Sequence, residues 1–370
     1  MKQSERHVIT DKKPYRVELF QEKTIADFIK CVREIFNKEY SEEYVQWKYF
    51  SNPLNKNLSL VLYKNNSMIG FKGCIPMRYN IEGTSFYGAG EEDNFLLAEH
   101  RSIHLYLWFS KVFHNYLYQN KIFFITGFPN ENAVQIVKLD PNNFKVADKP
   151  LHIRYHNVSK VLRKRVSSQL LARFAAFFLN IFLHVLHFSF IRIPPDAEVE
   201  VLYSCDDRFN TFWKAISDDY GIFGVRNASF LNWRYLHTPF VKGKIICLKE
   251  KMTSDIICYA VIGETKENNK KVGNVYELIA PKETSPNYVE ALLKTAIQLL
   301  EKDNVDTINA WIVNEMHTYN VFIKYGFLQR GKDWEGVYVH KTDSKDKKLD
   351  INLLKNVSNW YFSRSDMYFH

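Results

Sequence analysis

At 370 residues the chain is too long for one ordinary α/β core and suits two domains. Its 46% hydrophobic and 25% charged residues exclude a disordered or fibrous protein. A formal charge of +9 leaves nucleic acid, anionic lipid and a phosphorylated ligand as partners without choosing among them.

The opening MKQSERHVITDKK is polar and lacks the apolar core of a signal peptide, so the cytoplasm is the expected location. RVELF then reads as a strand and Ile25 to Phe36 as a helix, followed by EEYVQWKYFSNP with Trp47, Tyr49 and Pro53. LSLVLYKNN and SMIGFKGCIPMRYNIEG read as a strand pair turning at two asparagines, with Gly70 and Gly73 interrupting the second strand. Residues 86–113, FYGAGEEDNFLLAEHRSIHLYLWFSKVF, form the stretch around which the chain is organised. A strand ending at Phe95-Leu96-Leu97-Ala98 enters a turn at Glu99-His100-Arg101, and from Ser102 apolar residues recur at helical spacing. Such a helix start leaves four backbone N–H groups without partners and suits a phosphate or pyrophosphate. KIFFITGFPNENAVQIVKLDPNNF continues as strand, loop with Pro129-Asn130, and short helix, which Asn130 is placed to cap.

Lys160, Arg163, Lys164, Arg165 and Arg173 precede an uncharged run over 174–191, which ends at Arg192 and Pro194-Pro195. Asn180, His184, His187 and Ser189 make it a poor bilayer span. It reads as a helix in the interface of an anionic membrane through residues 160–192, or as a helix buried between lobes or against a second subunit. His184 and His187 have no third ligand, and the cysteines at 31, 74, 205, 247 and 258 show no metal spacing. No metal and no disulfide framework are expected, and a reducing compartment fits.

Beyond this connector the order of elements repeats. Trp47-Lys48-Tyr49 with Pro53 recurs at identical spacing as Trp233-Arg234-Tyr235 with Pro239. KIICLKEK and DIICYAVIGE form a hairpin, and NVYELIAP answers EEDNFLLA. Tyr288 to Leu300 is the next helix, and TINAWIVNEMHTYNVFIKYGF closes on Gly-Phe. The plain reading of the Trp-basic-Tyr repeat is a duplicated packing anchor.

With these residues in hand, the chain resembles a tandem of GNAT (N-acetyltransferase) domains. Asp93, Leu96, Ala98 and Arg101 match the family's strand and pyrophosphate loop, although His104 and Tyr106 stand where that family prefers glycine. The resemblance implies an α/β fold of two GNAT-like domains, each a mixed central sheet flanked by helices, joined by an apolar helical connector. Residues 1–157 would form the donor-binding domain, 158–195 the connector and 196–370 the second domain. It further implies an acyl-CoA-dependent acyltransferase acting on an amino or hydroxyl group of a sugar or glycan precursor. Acetyl-CoA or another acyl-CoA would be the co-substrate, in a wedge between the fourth and fifth strands. Leu96, Leu97, Ala98, Arg101, Ser102, Ile103, His104, Leu105, Tyr106 and Asn130 are the expected donor contacts. Only the first copy is built for a donor, because KETSPNYVEALL in the second has neither the arginine nor a glycine loop.

Acyl transfer needs a base for the acceptor, an acid for the departing thiolate and a backbone N–H for the carbonyl oxygen. Glu92, Asp93 and His104 are the catalytic candidates. Strand alternation puts Glu91 and Asp93 on one face and Glu92 on the other. The family's tyrosine acid falls at Phe322, with Tyr319 and Tyr325 nearby. Two other readings stay open: a Fem-type aminoacyl-tRNA-dependent transferase, and a catalytically inactive membrane-attached binding protein. DNA binding is not expected, since no recognition-helix or zinc-finger pattern occurs. An oligomer remains open.

Overall fold

The computed structural model of the chain describes residues 8–148, 151–159, 162–163, 168–187, 192–239, 241–267, 270–331, 336–343 and 346–366. Lys160, Lys164, Arg165, Phe188 and Ser189 of the expected connector lie outside them, as do the side chains of His184 and His187. The first half contains β1 (Val8–Lys12), β2 (Tyr15–Leu19), α1 (Ile25–Phe36), α2 (Glu42–Val45), β3 (Leu60–Lys64), β4 (Ser67–Ile81) and β5 (Thr84–Leu96). It continues with α3 (Ile103–Gln119), β6 (Ile122–Gly127), α4 (Glu131–Val137), β7 (Asn143–Asp148) and β8 (Leu151–Tyr155). Next come α5 (Gln169–His187), β9 (Ala197–Leu202), α6 (Asp207–Ile216), β10 (Ile222–Gly224), α7 (Ala228–Leu231), β11 (Lys244–Glu250), β12 (Ile256–Glu267) and β13 (Lys270–Ile279). The chain closes with α8 (Pro286–Lys302), β14 (Thr307–Trp311), α9 (Tyr319–Lys324), β15 (Leu328–Gln329), β16 (Gly336–Lys341) and α10 (Ile351–Lys355).

Local chemistry accounts for these elements. Asn65 and Asn66 both take positive φ, 48° and 68°, the geometry a two-residue hairpin turn needs between β3 and β4. In α1 the buried Ile25, Phe28, Cys31 and Val32 line one helical face, and Asn37 stops the helix in the left-handed conformation. Ser102 caps α3 by accepting from the Leu105 amide, and Asn130 caps α4 by accepting from the Ala133 amide. All five cysteines are buried thiols.

Two mixed sheets result, in the expected α/β class. One runs β1-β2-β3-β4-β5-β6-β16-β7, with β10 beside the far end of β4; the other runs β15-β8-β14-β13-β12-β11-β9. The halves exchange strands. β8, from before the division expected at 157, lies against β14 in the second sheet, while β16, from the C-terminal half, lies between β6 and β7 in the first. Nothing in local periodicity announces this, because alternation says which face of a strand is apolar and not which neighbour it takes.

The repeated Trp-basic-Tyr segments meet face to face. Each sits in a π-helical turn, closed by Ser51 N donating to Gln46 O at 3.1 Å and His237 N donating to Asn232 O at 2.8 Å. Trp47 and Trp233 stack with ring centroids 5.4 Å apart. Trp47 Nε1 donates to the Trp233 carbonyl at 2.8 Å and Trp233 Nε1 to the Trp47 carbonyl at 3.1 Å. The two repeated segments thus hold one another by reciprocal indole-to-carbonyl hydrogen bonds.

The C-terminal segment then stitches both sheets together. Trp360 packs edge-on to Phe124 of β6 and stacks on Phe362. Behind it, the fully buried Arg226 donates from Nε to Glu277 Oε1 at 2.6 Å and from Nη2 to Asp366 at 2.8 Å. Burial alone would push this guanidinium down, but Asp366 and Glu277 outweigh it and hold it firmly charged.

Candidate active site

β5 and β6 are parallel and paired only from Tyr87–Gly90 against Ile122–Thr126. Past Gly90, β5 pairs with β4 alone, so the two strands part like the arms of a fork. A cleft of about 620 Å³ opens there. Glu91 to Leu96 of β5 form one wall and Gly127 to Asn130 the other, with Arg101, Ser102, Ile103 and Tyr106 at the start of α3. Tyr338 and His340 of the exchanged strand β16 complete the lining, so the C-terminal half contributes directly to the cleft.

The carboxylates at its base depart from simple strand alternation. A bulge shifts the β4–β5 register between Phe71 and Gly73, and Asp93 takes φ +48°. The extra residue turns Glu92 and Asp93 toward the same cation, where alternation placed them on opposite faces. Lys48 Nζ lies 2.9 Å from Glu92 Oε2 and 2.8 Å from Asp93 Oδ2. Asp93 also accepts from Tyr49 OH at 2.7 Å and Tyr40 OH at 3.0 Å. Gly73 makes the bulge feasible, because a Cβ there would lie 2.4 Å from the Glu92 carbonyl oxygen.

Two chemical states follow. Burial pushes the Glu92 carboxyl up to about 7, against the opposing pull of Lys48. Burial also disfavours the Lys48 ammonium, but Asp93 and Glu92 outweigh it and keep it charged. Asp93 is thus occupied as an acceptor for Lys48 and two phenols, whereas Glu92 is poised to exchange a proton near neutrality.

The other expected site residues are distributed unevenly. Leu96, Arg101, Ser102, Ile103, Tyr106 and Asn130 line the cleft. Leu97 and Leu105 are buried beside it, and Ala98 opens an exposed 3₁₀ turn. His104 is exposed on the first turn of α3 and is not among the residues that line the cleft. Arg101 donates from Nε to the Leu96 carbonyl at 3.2 Å, which braces the turn while its guanidinium stays on the surface. In the second half, Pro286 occupies the first turn of α8, Phe322 is buried, and Tyr325 OH donates to Glu290 at 3.0 Å.

Sequence reasoning missed Lys48, Tyr40, Lys72, His114 and His340. For Lys48 the signal was the repeat itself, read only as a packing anchor. Lys72, on β4 within the bulge, is buried, donates to Tyr106 OH at 3.0 Å and lies 3.5 Å from Glu91. His114 of α3 and His340 of β16 lie with ring centroids 3.7 Å apart and the planes tilted by 34°, and His340 Nδ1 sits 3.1 Å from Asn143 Oδ1. Asp140 lies within 4.8 Å of both.

Burial holds both imidazoles below the ordinary 6.5, His114 strongly so. Below that value the unfolded chain binds protons that the folded chain refuses, so stability falls as pH drops. Thermal melts of the wild type should therefore fall on acidification from about pH 7.5 to about pH 5.5. In His340→Gln the fall should be shallower; an unchanged slope would show that the pair does not titrate on unfolding.

Neither a family model nor a curated protein matches the chain. Solved structures do. It is similar to Saccharomyces cerevisiae N-myristoyltransferase with bound myristoyl-CoA, at 11% identity and a TM-score of 0.62, over 90% of this chain and 83% of that one. A further structure of the yeast enzyme, with bound myristoyl-CoA and inhibitors, gives 12% identity and a TM-score of 0.60 over 91% and 81%. At such identity the likeness is one of fold, the two-domain GNAT-like arrangement.

Proposed function

We propose that the chain is an acyl-CoA-dependent acyltransferase whose donor lies in the fork between β5 and β6. The observation that carries this reading is the open fork with the buried Glu92 carboxyl, paired to Lys48, at its base. The pantetheine arm would extend along the free edge of β5, and the pyrophosphate would meet the α3 N-terminus near Arg101 and Ser102. Ile35, Phe36, Phe95 and Ile136 give the cleft an apolar wall, which favours an acyl chain longer than acetyl. The structural neighbours are yeast enzymes solved with bound myristoyl-CoA, which supports the same donor class.

In this mechanism Glu92 accepts a proton from the acceptor amine or hydroxyl as it attacks the thioester carbonyl. The new bond to carbon forms, the carbon–sulfur bond breaks, and the departing thiolate is protonated by Tyr338, the phenol of β16 that lines the cleft. Lys48 holds Glu92 in place and is itself anchored by Asp93, while burial raises the proton affinity of Glu92. A sugar or glycan-precursor acceptor rests on the family resemblance alone; the cleft itself calls for a nucleophile that reaches Glu92.

A panel of acyl-CoA esters tests the donor. At least one should raise the melting temperature of the wild type, and Arg101→Ala should weaken its binding by roughly tenfold, as for a lost charge-assisted phosphate contact, while shifting the unliganded melt only slightly through the lost bond to the Leu96 carbonyl. Equal affinity in the variant would remove Arg101 from the donor site. No response to any ester, together with tight tRNA binding, would favour the aminoacyl-tRNA-dependent reading.

A further inference from the structure

A helix on a protein surface normally turns its apolar face inward. α5 does the reverse. Its contact with the body is made by a narrow stripe at four-residue spacing: Ala172 and Ala176 are buried, and Asn180 is partly so. Asn180 fastens the helix to the loop after β8. It accepts from the Val158 amide at 2.9 Å and donates to Asn157 Oδ1 at 3.3 Å and Ser159 Oγ at 3.2 Å. On the opposite side Leu170, Leu171, Phe174, Phe177, Phe178 and Phe182 are each 59% exposed or more. A helix buried between lobes, one of the readings open from sequence, does not present its phenylalanines this way.

The formal charges within this segment are all of one sign. No Asp or Glu occurs anywhere from Lys149 to Pro195. Arg163, Arg173 and Arg192 are exposed beside or at either end of the helix. Two copies packed face to face would bring these cations together, whereas an anionic bilayer complements them and takes up the rings. No helix among the described residues is long and apolar enough to cross a membrane. A helix lying flat in the interface fits both facts.

We propose that α5 docks the protein on an anionic phospholipid bilayer, with Phe174, Phe178 and their neighbours in the acyl boundary and the arginines on headgroup phosphates. This stands apart from the acyl-CoA reading, since it uses no residue of the cleft.

Flotation of the full chain with vesicles tests it. The wild type should float with phosphatidylglycerol-containing vesicles, bind pure phosphatidylcholine far less, and lose binding as salt rises. Phe174→Glu and Phe178→Glu should each reduce binding roughly tenfold or more, because each removes a buried ring from the membrane. Their unchanged melting temperatures would show that the fold is intact, as expected of exposed positions. Arg163→Gln with Arg173→Gln should flatten the salt dependence. Absence of vesicle binding would overturn the proposal, as would binding indifferent to both glutamates. So would a wild-type dimer in solution that Phe178→Glu converts to a monomer, which would assign the face to a second copy.

Discussion

Glu92→Gln is expected to lower kcat by about 10²–10⁴-fold, the range a positioned general base contributes. Glu92 is 3% exposed, faces the cleft and has its carboxyl pushed up to about 7 by burial. In the wild type, kcat/KM should climb with pH and level off above about 7 as Glu92 ionises. The variant should keep only a flat, low rate across the same range. Gln fills the same space and leaves Lys48 its contact with Asp93, so the fold should persist. Stability supplies a separate sign. The folded Glu92 holds its proton to higher pH than the ordinary 4.5 of the unfolded chain. Between those values the native state binds an extra proton at Glu92, so this group's own contribution to stability falls as pH rises and opposes that of the two buried histidines. Glu92→Gln removes the opposing contribution, so the fall in melting temperature on acidification should be steeper in the variant than in the wild type. A variant with wild-type kcat and an unshifted pH profile would assign the base elsewhere.

Arg226→Ala should be the most damaging single change to the fold, costing about 3–5 kcal/mol in chemical denaturation. Removing this cation leaves Glu277 and Asp366 buried around an uncompensated void, with Ser363 bridging the two acids at 3.0 and 3.4 Å. The loss would loosen the C-terminal segment that carries Trp360 against Tyr79 and Phe124 of the first sheet. Replacing all three charges together, as Arg226→Met with Glu277→Gln and Asp366→Asn, should recover much of the stability. Breaking a buried pair costs more than never having it. If the single and triple variants lose the same amount, the network acts through shape and not through charge.

Much of the fold was legible because its determinants are local. The twin asparagines named the β3–β4 turn, Asn130 sat where a cap is needed, and the Trp-basic-Tyr repeat picked out two segments that meet in the structure. The strand exchange was not legible, since the choice of neighbour for β8 and β16 depends on contacts far apart in sequence. For the same reason Tyr338 and His340 could not be placed in the cleft. The fork was expected from resemblance to a family, but the convergence of Glu92 and Asp93 on Lys48 was not. A bulge reverses the facing that alternation assigns, and its requirement, Gly73 opposite Glu92, is visible only once β4 and β5 are paired. In α5 the composition was plain and the orientation was not. Periodicity finds an apolar face without saying whether protein, lipid or another subunit covers it.

The most direct test of the account is the crystal structure of the chain with a bound acyl-CoA ester. The prediction is a pantetheine arm lying between β5 and β6, its pyrophosphate at the start of α3 and its thioester carbonyl within reach of an acceptor held by Glu92. An ester bound anywhere else, with the fork still empty, would contradict it.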